Sequence, residues 1–268
     1  MGDHEQVFQA IEEALEGASV RVDRVGDTLN VARGGGIMEA KANIDPVDLI
    51  EEIAGLDESE RRPAIANWAR GVAHVLMEPT KSEADEWTFV EAAGQLYMSL
   101  ENEYFLRGAE AAAGEPAWTI PLDEDLHFVF ILELDMGLRV VTEDQFEEWS
   151  ATRDRVVSGG RSLIFHKAYE EEPESVADFE GVERWRIGDG YDAARCLVIE
   201  DLMFGEVDET TRLSMPSPEE LYFVRQGNEQ TMEALRQVTD ERYEAADHPL
   251  SRSFYRLERG GKPALADD

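Results

Sequence analysis

The longest uninterrupted apolar run in the chain is Phe128 to Leu132. That is strand length, far short of the ~20 residues a helix needs to cross a bilayer. Every other apolar stretch is cut early by glycine, proline or a charge cluster. The chain is therefore restricted to short strands and amphipathic helices that bury one face each. With 43% apolar residues there is enough material for a packed core, so global disorder is excluded despite the charge.

Periodicity and turn residues order these pieces. His4 to Glu16 places Val7, Ile11, Ala14 and Leu15 on one helical face, and Gly17 ends it. Ala18 to Asp23, Thr28 to Ala32 and Ile37 to Ile44 read as strands joined at Gly26-Asp27 and at Gly34-Gly35-Gly36. The glycine triplet lies between two strands, so it reads as a hairpin turn and not as a phosphate loop. Asp45-Pro46 opens a helix over 47–54, and a second runs from Ser59 to Met77.

Thr80 to Glu86 is polar and reads as a linker. Phe89 to Leu106 has helical spacing, and Ala109 to Pro116 reads as a loop of small residues. Leu126 to Asp135 is the best strand, with Leu138 to Val141 as its hairpin mate. Thr142 caps a helix, and a further helix over 152–168 is interrupted at Gly159-Gly160. Val182 to Ile187, Leu213 to Pro216, Leu221 to Arg225 and Ser253 to Glu258 read as strands, and Asn228 caps a long helix. The expected fold class is α+β. An N-terminal α-β-β-β-α-α unit (1–79) and a linker (80–87) precede a larger mixed α+β domain with an antiparallel sheet (88–262). Residues 263–268 form a loose tail.

Charge limits function. The net charge is −34, from 59 acidic against 25 basic residues. Such a field repels nucleic-acid phosphates and anionic membranes, and basic residues do not cluster with aromatics. Hydrated carboxylates suit a saline cytosol; an acidic decoy for a basic partner is the sharper alternative. Met1 to Glu5 lacks the positive, apolar character of a signal peptide, and Cys196 is the single cysteine. A reducing, cytoplasmic setting is expected, with neither a cofactor nor a metal site.

Chemistry concentrates at Gly188 to Arg195, where a Gly-Asp-Gly turn feeds Tyr191, Asp192, two alanines and Arg195, ahead of the apolar run Cys196 to Ile199. Two readings compete. Asp189, Asp192 and Arg195, with His248, are candidate catalytic residues of an enzyme of unknown class. Alternatively the turn is a cap with a buried Asp192–Arg195 pair, which meets only if the segment is helical. The turn lacks the alternating ligands of an EF-hand, so it is not read as a calcium loop. Cys196 reads as a small buried hydrophobe, in a strand that points Arg195 the other way. His248 and Ser251 lack a nucleophile elbow. With no catalytic motif and with exposed-looking Trp87, Trp118 and Trp149, the expected function is a non-catalytic protein-binding or adaptor protein. The expected partner is a protein, in an oligomeric state the sequence does not specify.

The order of motifs in the second half resembles the YtpQ-like family of uncharacterised bacterial cytosolic proteins. The matching features are a strong strand then a helix opening at Thr142-Glu143, a helix ending near Ala168, and YDAAR at Tyr191 to Arg195. A strand ending in Met215-Pro216, an apolar strand Leu221 to Val224, a helix and HPLS at His248 to Ser251 complete the set. The resemblance covers about Trp118 to Gly261. It implies the fold of the second half and a bacterial cytosolic setting, but no established activity. Ser217 to Glu220 stand where the pattern would have an Arg-Asp type pair.

Overall fold

The computed structural model describes residues 2–34, 40–76, 87–134, 137–258 and 261–266. The Gly34-Gly35-Gly36 turn beyond its first residue, and the expected linker up to residue 86, lie outside them. The fold is α+β, and it opens in the α-β-β-β-α-α order. Helix α1 (Gly2–Gly17) leads into β1 (Arg21–Val25), β2 (Thr28–Arg33) and β3 (Ala40–Ile44), followed by α2 (Val47–Ile53) and α3 (Glu58–Val75). Next come α4 (Phe89–Ala92), β4 (Leu96–Asn102), α5 (Glu103–Ala113), β5 (Thr119–Pro121), β6 (Leu126–Leu134), β7 (Gly137–Val140), α6 (Glu143–Glu148) and α7 (Arg153–Ala168). The remainder is β8 (Glu174–Ser175), β9 (Glu183–Trp185), a 3-10 turn (Ala193–Leu197), α8 (Ile199–Leu202), β10 (Arg212–Ser217), β11 (Glu220–Val224), α9 (Glu229–Ala245), β12 (Phe254–Leu257) and β13 (Pro263–Leu265).

The contacts divide the chain into two compact units. The first comprises Met1–Gln95, Asn102–Trp118 and Ile131–Ala151; the second comprises Leu96–Glu101, Thr119–Phe130 and Thr152–Asp268. In the first, an antiparallel β1-β2-β3 meander packs its buried face on α1 and α3. Its core holds Phe8, Ile11 and Leu15 of α1, Leu29 and Val31 of β2, and Trp68 and Val72 of α3. Asp57 starts α3 by accepting from the Ser59 and Glu60 amides, while the Glu60 carboxylate accepts from the Asp57 amide. Helices α3 and α5 cross closely because both contacts are glycine. A Cβ on Gly71 would lie 2.1 Å from the Phe105 carbonyl oxygen, and one on Gly108 2.0 Å from that of Trp68.

In the second unit a six-stranded sheet runs β13-β12-β10-β11-β9-β8, and every strand pair with a defined register is antiparallel. Helix α9 covers one face, where Tyr222 and Val224 pack with Leu235 and Val238. Strand alternation sends Leu221 and Phe223, both fully buried, to the opposite face.

Five expectations change. Phe89 to Leu106 is not one helix: α4 is a single turn, and β4 follows with every residue buried. A strand covered on both faces has no polar alternation, so its apolar positions coincide with helical spacing. Ala109 to Pro116 is not a loop, because its alanines carry α5 on to Ala113, where Gly114 (φ 81°) caps it. Gly159-Gly160 does not interrupt α7; Gly160 admits Met98, whose Cγ would lie 2.5 Å from a Cβ there. The tail is not loose over Pro263–Leu265, which pairs with β12 as an edge strand. Cys196 to Ile199 is not a strand but the end of the 3-10 turn and the start of α8.

Candidate functional site

The Gly188–Arg195 turn is built from backbone outward. Gly188 (φ 81°) and Gly190 (φ 85°) both take the left-handed conformation that costs other residues about 1 kcal/mol or more. That curl turns successive amides inward. Asp192 accepts from the Ile187 amide at 2.9 and 3.1 Å and from the Gly188 amide at 3.1 Å. Asp189 accepts from the Tyr191 amide at 3.1 Å. The 3-10 turn then places Arg195 three residues beyond Asp192, on the same side.

Arg195 is spent on these two carboxylates. Its Nη1 donates to Asp192 Oδ1 at 2.8 Å and to Asp189 Oδ1 at 2.9 Å, and its Nη2 donates to Asp189 Oδ2 at 2.7 Å. The Arg195 and Asp192 side chains are 0% exposed and that of Asp189 is 14% exposed. Two carboxylates against one guanidinium leave one negative charge, which the three inward amides and the nearby Lys167 offset. At Asp189 burial pushes the carboxyl up, but the Arg195 hydrogen bonds and charge outweigh it and hold the group below its usual range. At Asp192 burial dominates and the carboxyl is raised, despite the Ile187 and Gly188 amides.

Beside the turn, Tyr191 stacks on Tyr97 with centroids 5.0 Å apart, and Lys167 Nζ sits 4.3 Å from the Tyr97 ring centroid. The Ala193 amide donates to the Pro218 carbonyl at 3.0 Å, tying the turn to the β10–β11 hairpin. The sequence carries the Asp192–Arg195 pair in its spacing. The second arm, Asp189, is six residues from Arg195 and becomes legible only through the two left-handed glycines.

His248 does not join the cluster: Asp189, Asp192 and Arg195 bond to one another and to local amides, and not to His248. His248 precedes Leu250, whose amide is held at 2.8 Å by the Pro216 carbonyl. Ser251 accepts from the Ser253 amide at 3.0 Å. Cys196 is fully buried, and burial pushes its thiol well above its ordinary range, so little thiolate forms at neutral pH. Among the described residues no three His, Cys, Asp or Glu side chains gather as a metal site, and no helix is long and apolar enough to cross a membrane.

Of the tryptophans singled out from sequence, Trp149 is buried, while Trp87 and Trp118 are half-buried. The Trp149 Nε1 donates to the Trp87 carbonyl at 3.0 Å; Trp118 stacks on Phe146 at 4.1 Å. Among the described residues, the exposed large apolar side chains are Val25, Val90, Tyr169, Phe204 and Leu265. Comparison with known protein families, curated proteins and solved structures found no match to this chain.

Proposed function

We propose that the protein is a non-catalytic, cytoplasmic protein-binding or adaptor protein. The observation that carries this reading is the closure of the Asp189–Arg195–Asp192 cluster. A catalytic acid, base or anion clamp must reach substrate within hydrogen-bond distance. Arg195 has no exposed surface and directs both terminal nitrogens at its own turn, so the charges act as a strut that fixes the loop. Cys196 is inert for the same reason, burial.

The test is cross-linking of the tagged full-length chain in its native host, followed by purification at high salt and mass spectrometry. The reading expects one partner protein recovered reproducibly, with cross-links to surface residues. A chain that stays monomeric with no cross-linked partner refutes it.

A further inference from the structure

Tyr169 follows directly on α7, and Phe204 lies just beyond the end of α8. Both rings are exposed, at 54% and 78%. They touch edge to face with centroids 6.4 Å apart, and Phe165 lies 5.4 Å behind Tyr169, so three rings form a row. Phe204 is also held at φ 50°. The α8 end needs a left-handed residue there, since the Gly205 amide returns to the Glu200 carbonyl at 3.2 Å and the Phe204 amide to that of Asp201 at 3.3 Å. Glycine or asparagine fills such a position at lower cost, whereas phenylalanine there carries backbone strain. At 78% exposure the ring recovers little of that through burial, so folding does not account for it.

The rim is acidic. Glu170, Glu171 and Glu172 follow Tyr169, all exposed; Asp201 and Glu206 flank Phe204, exposed but paired with Arg161 and Arg225. We propose that the Tyr169–Phe204 pair is the docking point for a partner protein segment that carries arginine or lysine beside leucine-like side chains. The inference rests on the protein-binding reading above and names the partner's chemistry. Aromatic faces bury apolar side chains and attract guanidinium groups, and the Glu170–Glu172 carboxylates beside Tyr169 select for cations. A second copy is a poor occupant, since each chain carries −34. Anionic lipid and nucleic acid fail for the same reason.

The experiment titrates the full-length protein into a labelled helix-forming peptide with leucines on one face and arginines on the other. Two control peptides replace arginine by glutamate, or leucine by serine. The protein variants are Phe204→Gly and Tyr169→Ser, alone and together. Phe204→Gly relieves the left-handed strain, so its melting temperature is expected to stay level or rise and misfolding does not confound the result. Binding of the arginine-leucine peptide is expected to weaken about tenfold or more in the double variant, and with salt from about 0.05 to 0.5 M. Both control peptides are expected to bind poorly. Equal binding by the double variant overturns the surface, equal binding of the glutamate peptide overturns the partner chemistry, and no binding by any version overturns both. If host cross-linking then finds a partner on another face, the protein-binding reading stands while this proposal falls.

Discussion

Replacing Arg195 by methionine tests the strut directly. The substitution keeps most of the side-chain volume but removes the one cation between two carboxylates. Asp192 is then left at 0% exposure with only the Ile187 and Gly188 amides, and Asp189 with the Tyr191 amide. Breaking a buried ion pair from one side costs about 3–5 kcal/mol, and two stranded carboxylates place this change at the upper end. That is a large share of the ~5–15 kcal/mol that holds a typical domain. The triple variant Asp189→Asn, Asp192→Asn, Arg195→Met removes all three charges. It is expected to recover most of the loss and lie within about 2 kcal/mol of wild type, the remainder reflecting the single acceptor oxygen of each asparagine.

The acid response has a definite sign. Without Arg195 both folded-state carboxyls move up, Asp189 from below its ordinary range and Asp192 further above it, so the folded chain binds protons more tightly and falling pH favours it. The gap between Arg195→Met and wild type is therefore expected to narrow from pH 7 to pH 5. Urea unfolding at both pH values, with slopes and midpoints fitted together, measures each quantity. A single variant within about 1 kcal/mol of wild type, or a triple variant as unstable as the single, would show that the cluster is not a strut.

Burial, reinforced by Arg70 and Arg33, pushes His74 down to about 3, so below its ordinary 6.5 the unfolded chain takes up a proton that the folded chain refuses. Its stabilising contribution is full above 6.5 and falls by about 1.4 kcal/mol per pH unit towards 3; His74→Leu is expected to flatten the urea midpoint between pH 6 and 4.5 by that amount, and an unchanged slope contradicts it. Gly108→Ala drives a methyl against the Trp68 backbone and is expected to cost about 1–3 kcal/mol or more, whereas Gly94→Ala, with open space around it, is expected to be neutral or mildly stabilising in the same melts. With −34 on the chain, the melting temperature is expected to rise with sodium chloride from about 10 mM to 1 M, most steeply at the low end; a flat profile shows that the carboxylates are already compensated.

The sequence was most legible where one face of an element meets water. Val7, Ile11 and Leu15 mark α1, and Asn228 marks the start of α9, because helical period and cap chemistry are local. It was least legible where burial is complete. In β4 every residue is covered, and in the run after Arg195 an apolar stretch has no polar face to set a period, so strand and helix look alike there. At the site, Asp192 and Arg195 share a helical spacing that can be read directly, while Asp189 reaches Arg195 through backbone conformation at Gly188 and Gly190. Trp149 was misread as exposed because burial depends on partners distant in sequence, such as Phe89 and the Trp87 carbonyl. Phe204 carried its signal in the Phe-Gly pair after a short helix, a place where an aromatic has no packing reason to be.

The alternation of the two units along the chain bears on how the gene can change. The units exchange at residues 95/96, 101/102, 118/119, 130/131 and 151/152. During translation, the fully buried strand Leu96–Asn102 emerges while Thr152–Asp268, the bulk of the unit that holds most of it, has yet to be made. At ~5–20 residues per second that wait is on the order of ten seconds, long enough for a nascent-chain chaperone to occupy it. In the genome, no single crossover can separate the two units cleanly, because a break at any one of these exchanges leaves at least one unit divided between the two products. Inheritance of the second unit is therefore bound to inheritance of the first, and the pair evolves as one recombinational block.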